Sequence, residues 1–146
     1  MNVLQQVVKR SLWASISAAA ILVTGCASMS SSGGTMVTLS GSQEVPAVTT
    51  SASGSGTITV GADKSISGSV TTTGVEGTAA HIHMGAMGQN GPVVVPLTKA
   101  AGGAWSVPAG AKLTDAQYDA FKAGNLYVNV HSAANKGGEV RGQLKP

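Results

Sequence analysis

Between residues 36 and 144 apolar side chains recur at alternate positions in short runs, and glycine or a small polar residue interrupts nearly every run. A period of two belongs to strands with one face buried, and a helix, whose faces repeat every 3.6 residues, cannot satisfy it. Aromatic residues make up only 3% of the chain, so the core has to be assembled from Val, Ile, Leu and Ala, with 20 glycines available for turns. The expected fold is all-β, an antiparallel β-sandwich or flattened Greek-key barrel of roughly seven to nine short strands.

Strands are placed at 36–39, 55–60, 65–72, 79–84, 92–97, 104–107, 126–131 and 139–144. Residues 43–48 read as an extended segment whose Pro46 suits an edge or bulge. Residues 61–64 close a hairpin. One stretch departs from alternation: Thr114 and Gln117 have the spacing of a capping box, Leu113 and Tyr118 can staple it, and Gly124 can terminate the helical turn. A short helix is therefore predicted near 115–123, with Tyr118 and Phe121 packed inward and Asp119 and Lys122 in solvent.

The N-terminus is organised differently. Lys9 and Arg10 precede an uncharged run, 11–25, that stops at Cys26. The run is too short for a comfortable spanning helix, which needs about 20 apolar residues, and it has the layout of a signal peptide. Val23-Thr24-Gly25-Cys26 resembles the lipobox of bacterial lipoproteins. That resemblance implies cleavage before Cys26, acylation of its thiol and attachment to a membrane through the lipid. Ala27, standing where Asp does not, implies by analogy with Gram-negative lipoproteins the outer membrane, with the domain facing the periplasm or cell surface. The alternative is an ordinary signal peptide with an incidental cysteine. The organisation expected is a signal peptide at 1–25, a lipidated cysteine and flexible tether at 26–35, and one β domain at 36–146.

Several function classes fall away. The single cysteine, if lipidated, leaves no thiol for a disulfide, a redox pair or a thiolate metal site. Removal of Lys9 and Arg10 leaves seven of the nine basic residues against six acidic ones, without a basic cluster, so nucleic acid is not an expected partner. No nucleophile elbow or phosphate-binding glycine loop occurs, and the spacing of Glu44 and Glu76 does not suggest an acid–base pair.

The chemistry centres on His81, His83 and His131, all the histidines the chain possesses. In His81-Ile82-His83 the two imidazoles leave one face of a strand while Ile82 enters the core. In 126–131, Leu126, Val128 and Val130 form the apolar face, and Tyr127, Asn129 and His131 the polar one. Pairing of these strands would gather three imidazoles, a donor set suited to copper, with zinc as the alternative. Met84 and Met87 offer thioethers to Cu(I), but parity puts Met84 opposite His83, and packing is the competing role for both. On this reading His81 and His83 can be replaced by Ala without unfolding the protein. The other reading is that the histidines hydrogen-bond loop backbones.

Leu39-Ser-Gly-Ser-Gln-Glu-Val-Pro-Ala-Val48, His81-Ile-His-Met-Gly85 with Asn90-Gly-Pro-Val-Val-Val95, Gly124-Asn-Leu-Tyr-Val-Asn-Val-His131 and Gly137-Gly-Glu-Val-Arg-Gly-Gln-Leu144 resemble, in order, the CHRD domain named for chordin. The resemblance implies an immunoglobulin-like or superoxide-dismutase-like sandwich and no established reaction. A looser likeness to copper–zinc superoxide dismutase, with its His-x-His pair and late arginine, makes Arg141 a candidate for steering an anion to the metal. A salt bridge with Glu139 or a loop anchor is its other role. The dismutase's disulfide and zinc loop have no counterpart here. Three functions remain open: a copper-binding envelope lipoprotein, a non-catalytic interaction or adhesion module contacting another envelope protein, and a copper-dependent oxidoreductase of superoxide-dismutase type.

Overall fold

The structure is a computed structural model that describes residues 33–146; residues 1–32, with the expected signal peptide and Cys26, lie outside the described residues. Among the described residues nine strands form one sheet: β1 (Thr35–Ser40), β2 (Ser53–Val60), β3 (Ile66–Thr73), β4 (Gly77–Met84), β5 (Val93–Pro96), β6 (Thr98–Lys99), β7 (Ala104–Ser106), β8 (Leu126–Ser132) and β9 (Val140–Leu144). Their spatial order is β5-β4-β8-β9-β1-β2-β3-β7-β6, with every pairing antiparallel.

The two ends of this sheet, β5 and β6, are consecutive in the chain and joined through Leu97. Leu97 N–H donates to Ala80 O on β4 (2.9 Å), and Lys99 Nζ donates to Gly77 O (2.7 Å), which draws the last strand back towards the first. The sheet rolls up into a nearly closed barrel, and its edges are thereby largely hidden. Alternation fills the interior. Val37 and Leu39 from β1, Ile58 from β2, Val70 from β3, Ile82 from β4, and Leu126, Val128 and Val130 from β8 are all at most 1% exposed. Trp105 on β7 also lies in this core, and it leaves Gly77 no room for a side chain.

The hairpin at 61–64 closes through Lys64 N–H to Gly61 O (2.9 Å) and Gly61 N–H to Ser65 O (2.8 Å). The predicted helix is α1 (Asp115–Lys122). Thr114 Oγ1 accepts from Gln117 N–H and Gln117 Oε1 accepts from Thr114 N–H, a complete capping box. Asn125 N–H to Ala120 O and Gly124 N–H to Phe121 O, both 2.8 Å, end it in a Schellman motif. Phe121 and Leu113 are buried and Tyr118 packs against the core, while Asp119 and Lys122 pair in solvent (2.8 Å).

Residues 43–48 differ from expectation, for they do not join the sheet. A 3-10 turn at Gly41–Gln43 precedes them, and both Glu44 N–H and Val48 N–H donate to Gly41 O (3.1 and 2.9 Å). Pro46 has no N–H to give, and the segment becomes a strap across the outside of the barrel.

Candidate metal centre

β4 and β8 are neighbours whose register sets His81 opposite Asn129, His83 opposite Tyr127 and Ala79 opposite His131. Because side chains alternate, all three histidines leave the outer face of this pair while Ile82, Val128 and Val130 fill the interior. The imidazoles do converge: each offers a ring nitrogen, and these atoms all lie within 4.8 Å of one another. Ring centres are separated by 4.9 Å (His81 and His131), 5.5 Å (His81 and His83) and 6.0 Å (His83 and His131).

Backbone carbonyls decide which nitrogens are free. His83 Nδ1 lies 2.9 Å from Gly91 O, and His131 Nδ1 lies 2.9 Å from Lys136 O. A carbonyl oxygen only accepts, so both Nδ1 atoms carry hydrogen and the Nε2 lone pairs are left over. His131 Nε2 meets His81 Nδ1 at 3.0 Å, whereas His83 Nε2 is buried without a hydrogen-bond partner. This is how proteins orient histidine ligands, with the non-ligating nitrogen tied to a fixed acceptor. Gly91 can supply its carbonyl because it carries no side chain: a Cβ there would lie 1.7 Å from Met84 O.

Burial holds the imidazoles of His81 and His83 below the usual histidine range. At His81 the neighbouring His131 and His83 add to the effect; at His83, His131 and Arg141 do, against the bond to Gly91 O. Both are therefore neutral at neutral pH, the form in which imidazole ligates a metal.

The outer face is not open to solvent as a polar face would suggest. Tyr127 and Asn129 are each 2% exposed and Arg141 1%, beneath residues 85–91 and the strap. The His83 ring stacks on Tyr127 (5.0 Å between centres, 7° between planes), Tyr127 Oη accepts from Gly91 N–H (3.1 Å), and the Arg141 guanidinium lies 3.5 Å from the centre of the tyrosine ring. His83 is thus part of a packed layer, so its replacement should cost stability as well as a donor nitrogen.

The remaining candidates fall into place around this layer. Arg141 donates to Ala86 O (3.1 Å), Asn90 Oδ1 (3.3 Å) and Gln143 Oε1 (3.2 Å), so it anchors the loop at 85–91. It makes no ion pair with Glu139, which accepts instead from Thr50 (2.6 Å), Ser132 (2.7 Å) and Asn135. Met84 packs on the core side, as parity requires, and Met87 is 63% exposed on the loop. Sequence reasoning assigned no role to the carbonyls of Gly91 and Lys136, nor to Glu44. Backbone acceptors leave no trace in residue identity, although the glycine at 91 hints at a close approach.

A nearly closed antiparallel barrel with three imidazoles gathered on the outside of two adjacent strands defines the class: a small all-β domain carrying a histidine cluster. The family model of the CHRD domain matches residues 35–144, from the first residue of β1 to the last of β9, and the chain belongs to that family. No curated protein and no solved structure matches it.

Proposed function

We propose that this protein is an exported lipoprotein, held to the cell envelope through Cys26, whose CHRD domain binds a transition metal, copper first and zinc second, at His81, His83 and His131. The observation that carries the metal reading is the convergence of three ring nitrogens within 4.8 Å. Two of the rings have Nδ1 tied to a backbone carbonyl, and His83 Nε2 is left buried without a partner. All-nitrogen donation suits late first-row ions better than calcium or magnesium. Anchorage is supported by the charged start, the short apolar run and the cysteine at its end. The outer membrane, facing the periplasm or the surface, is the compartment that Ala27 favours.

The 3.0 Å contact between His81 Nδ1 and His131 Nε2 favours a second reading, in which the histidines satisfy one another and the domain is an interaction module for another envelope protein. A copper titration of the full chain, read by electron paramagnetic resonance against a competing chelator, separates the two. One tightly bound copper with nitrogen couplings, absent from the triple His→Ala variant, is the expected result. Binding no tighter than that of a surface histidine overturns the metal reading, and the interaction module then stands. Lipidation is checked by the mass of the mature protein, and Cys26→Ser abolishes the added acyl mass.

A further inference from the structure

Glu44 is 6% exposed, on the strap at 41–48, and it enters no ion pair among the described residues. Its Oε2 accepts from Asn129 Nδ2 at 3.1 Å. Its Oε1 and Asn129 Oδ1 are both buried and both lack a partner. Both oxygens lie near one point beside the Asn129 amide nitrogen, for a Cβ built on Gly138 would lie 2.6 Å from each of them and 2.5 Å from Asn129 Nδ2. Asn129 Nδ2 is already given to Oε2, and two buried acceptors left without a partner are costly, because each forfeits its hydration with no bond in return. A single proton removes both defects. With hydrogen on Oε1, the acid would have a donor to offer the amide oxygen while the amide nitrogen donates to Oε2.

We propose that Glu44 sits in the fold as a carboxylic acid paired with Asn129, and that this pair is the proton-operated catch of the strap formed by residues 41–48. Neighbouring charge acts in both directions, Arg141 drawing the carboxyl down and Glu139 pushing it up, and burial outweighs both. The groups facing Glu44 are Arg141 on β9 and Glu139 just before it; β8 presents Asn129, residues 85–91 carry no titratable side chain, and Lys136 on residues 133–138 is exposed. The guanidinium of Arg141 is taken up by Ala86 O, Asn90 Oδ1 and Gln143, and Glu139 is held ionised by Thr50, Asn135 and Ser132. Burial, the largest influence, pushes the Glu44 carboxyl up to about 7.

The catch sits where it can act on two loops. On one side of the strap a cavity of about 220 Å³ separates residues 42–45 from Met87 and Gly88, and on the other a cavity of about 280 Å³ separates residues 45–48 from residues 134–138. Val45 O also accepts from Asn90 Nδ2 (2.7 Å). These loops carry Gly91 O and Lys136 O, which hold His83 and His131. Loss of the Glu44 proton leaves an unpaired buried carboxylate, and the strap lifts as water enters from the cavities to solvate it. The catch operates whether or not the histidines hold a metal.

The test is a carboxyl ¹³C NMR titration of the full chain with labelled glutamate, together with hydrogen exchange at Glu44 and Val48, whose amides are bonded to Gly41 O. One of the three glutamates should titrate near neutrality, and Glu44→Gln should delete that signal. Exchange protection at Val48, corrected for intrinsic rates, should fall by roughly tenfold between about pH 6 and pH 8. In Glu44→Gln it should stay level, because the glutamine amide permanently supplies the N–H that the acid supplies only when protonated. A Glu44 carboxyl titrating in the ordinary range overturns the proposal. So does protection that is flat in the wild type, or that falls equally in the variant. The wild-type titration and exchange decide the matter even if the variant does not fold.

Discussion

The two faces of β8 are buried by opposite means, with His131 alone half-buried. Inward, Leu126, Val128 and Val130 are inaccessible to solvent and need nothing from their neighbours but shape. Outward, Tyr127 and Asn129 are each 2% exposed, yet their environment is hydrogen-bonded side chains and carbonyls under two loops. Among the described residues, three of the four with a buried, partnerless side-chain atom, Glu44, Asn129 and His83, belong to this outer layer. Apolar burial tolerates small errors of geometry, whereas a buried polar layer is costly until its last donor and acceptor are matched. On the proposed reading function resides on one side: the inner face is a complete structure, and the outer one would be completed by a proton or an ion.

Weakening each face in turn tests that contrast most directly. Leu39→Ala, at a site with no exposure, should lose about 2–5 kcal/mol in urea unfolding, because the closed barrel cannot collapse around the missing atoms. Metal affinity of the folded fraction should be unchanged. Arg141→Ala should lose about 1–3 kcal/mol by leaving the partners of its guanidinium unmatched, and it should loosen the loop at 85–91 as well. If Arg141→Ala proves silent in urea, the outer layer is decoration and the contrast between the faces fails.

Acid and base separate the faces further, since the apolar interior has no titratable group. Glu44 lies at about 7 in the folded protein against an ordinary 4.5, so the native state keeps a proton the unfolded chain has released. Its contribution to stability is therefore present below pH 4.5 and lost as pH rises to about 7. His81 and His83 act in the opposite sense. Lowered from 6.5, they remain neutral when the unfolded chain has gained protons, so their contribution is lost as pH falls below 6.5. Thermal unfolding measured against pH should show both slopes in the wild type and only the histidine slope in Glu44→Gln. Identical profiles would mean that Glu44 titrates as an exposed carboxylate does.

Legibility in the sequence divides along the same line. Alternation placed the eight paired segments within a residue or two of the strands that form, and the capping box located α1, because both signals are local and carried by side-chain identity. Parity alone put His81, His83 and His131 on one face and Met84 on the other. The course of the strap at 43–48 is not legible because it depends on Gly41 O, a backbone acceptor that collects the N–H groups of Glu44 and Val48. Burial of Tyr127, Asn129 and Arg141 was illegible for a related reason: polar side chains on an outward face read as solvated unless the loops that cover them are known.

The smallest effects lie inside the histidine cluster, where the sequence treats His81 and His83 alike and the structure does not. His83 stacks on Tyr127, and its Nδ1 bond to Gly91 O holds the loop to β4. Removing that ring leaves a buried carbonyl and one face of Tyr127 uncovered, a loss of about 1–2 kcal/mol in His83→Ala. His81 is half-buried and its ring hydrogen-bonds only His131, which remains tied to Lys136 O without it. His81→Ala should therefore cost less than about 1 kcal/mol. Each substitution should nevertheless remove one of the three converging donors and weaken copper binding strongly in the chelator competition. His81→Ala is thus the variant that separates the site from the fold. Equal losses of stability from the two replacements would show that the outer layer does not distinguish a packed histidine from a free one.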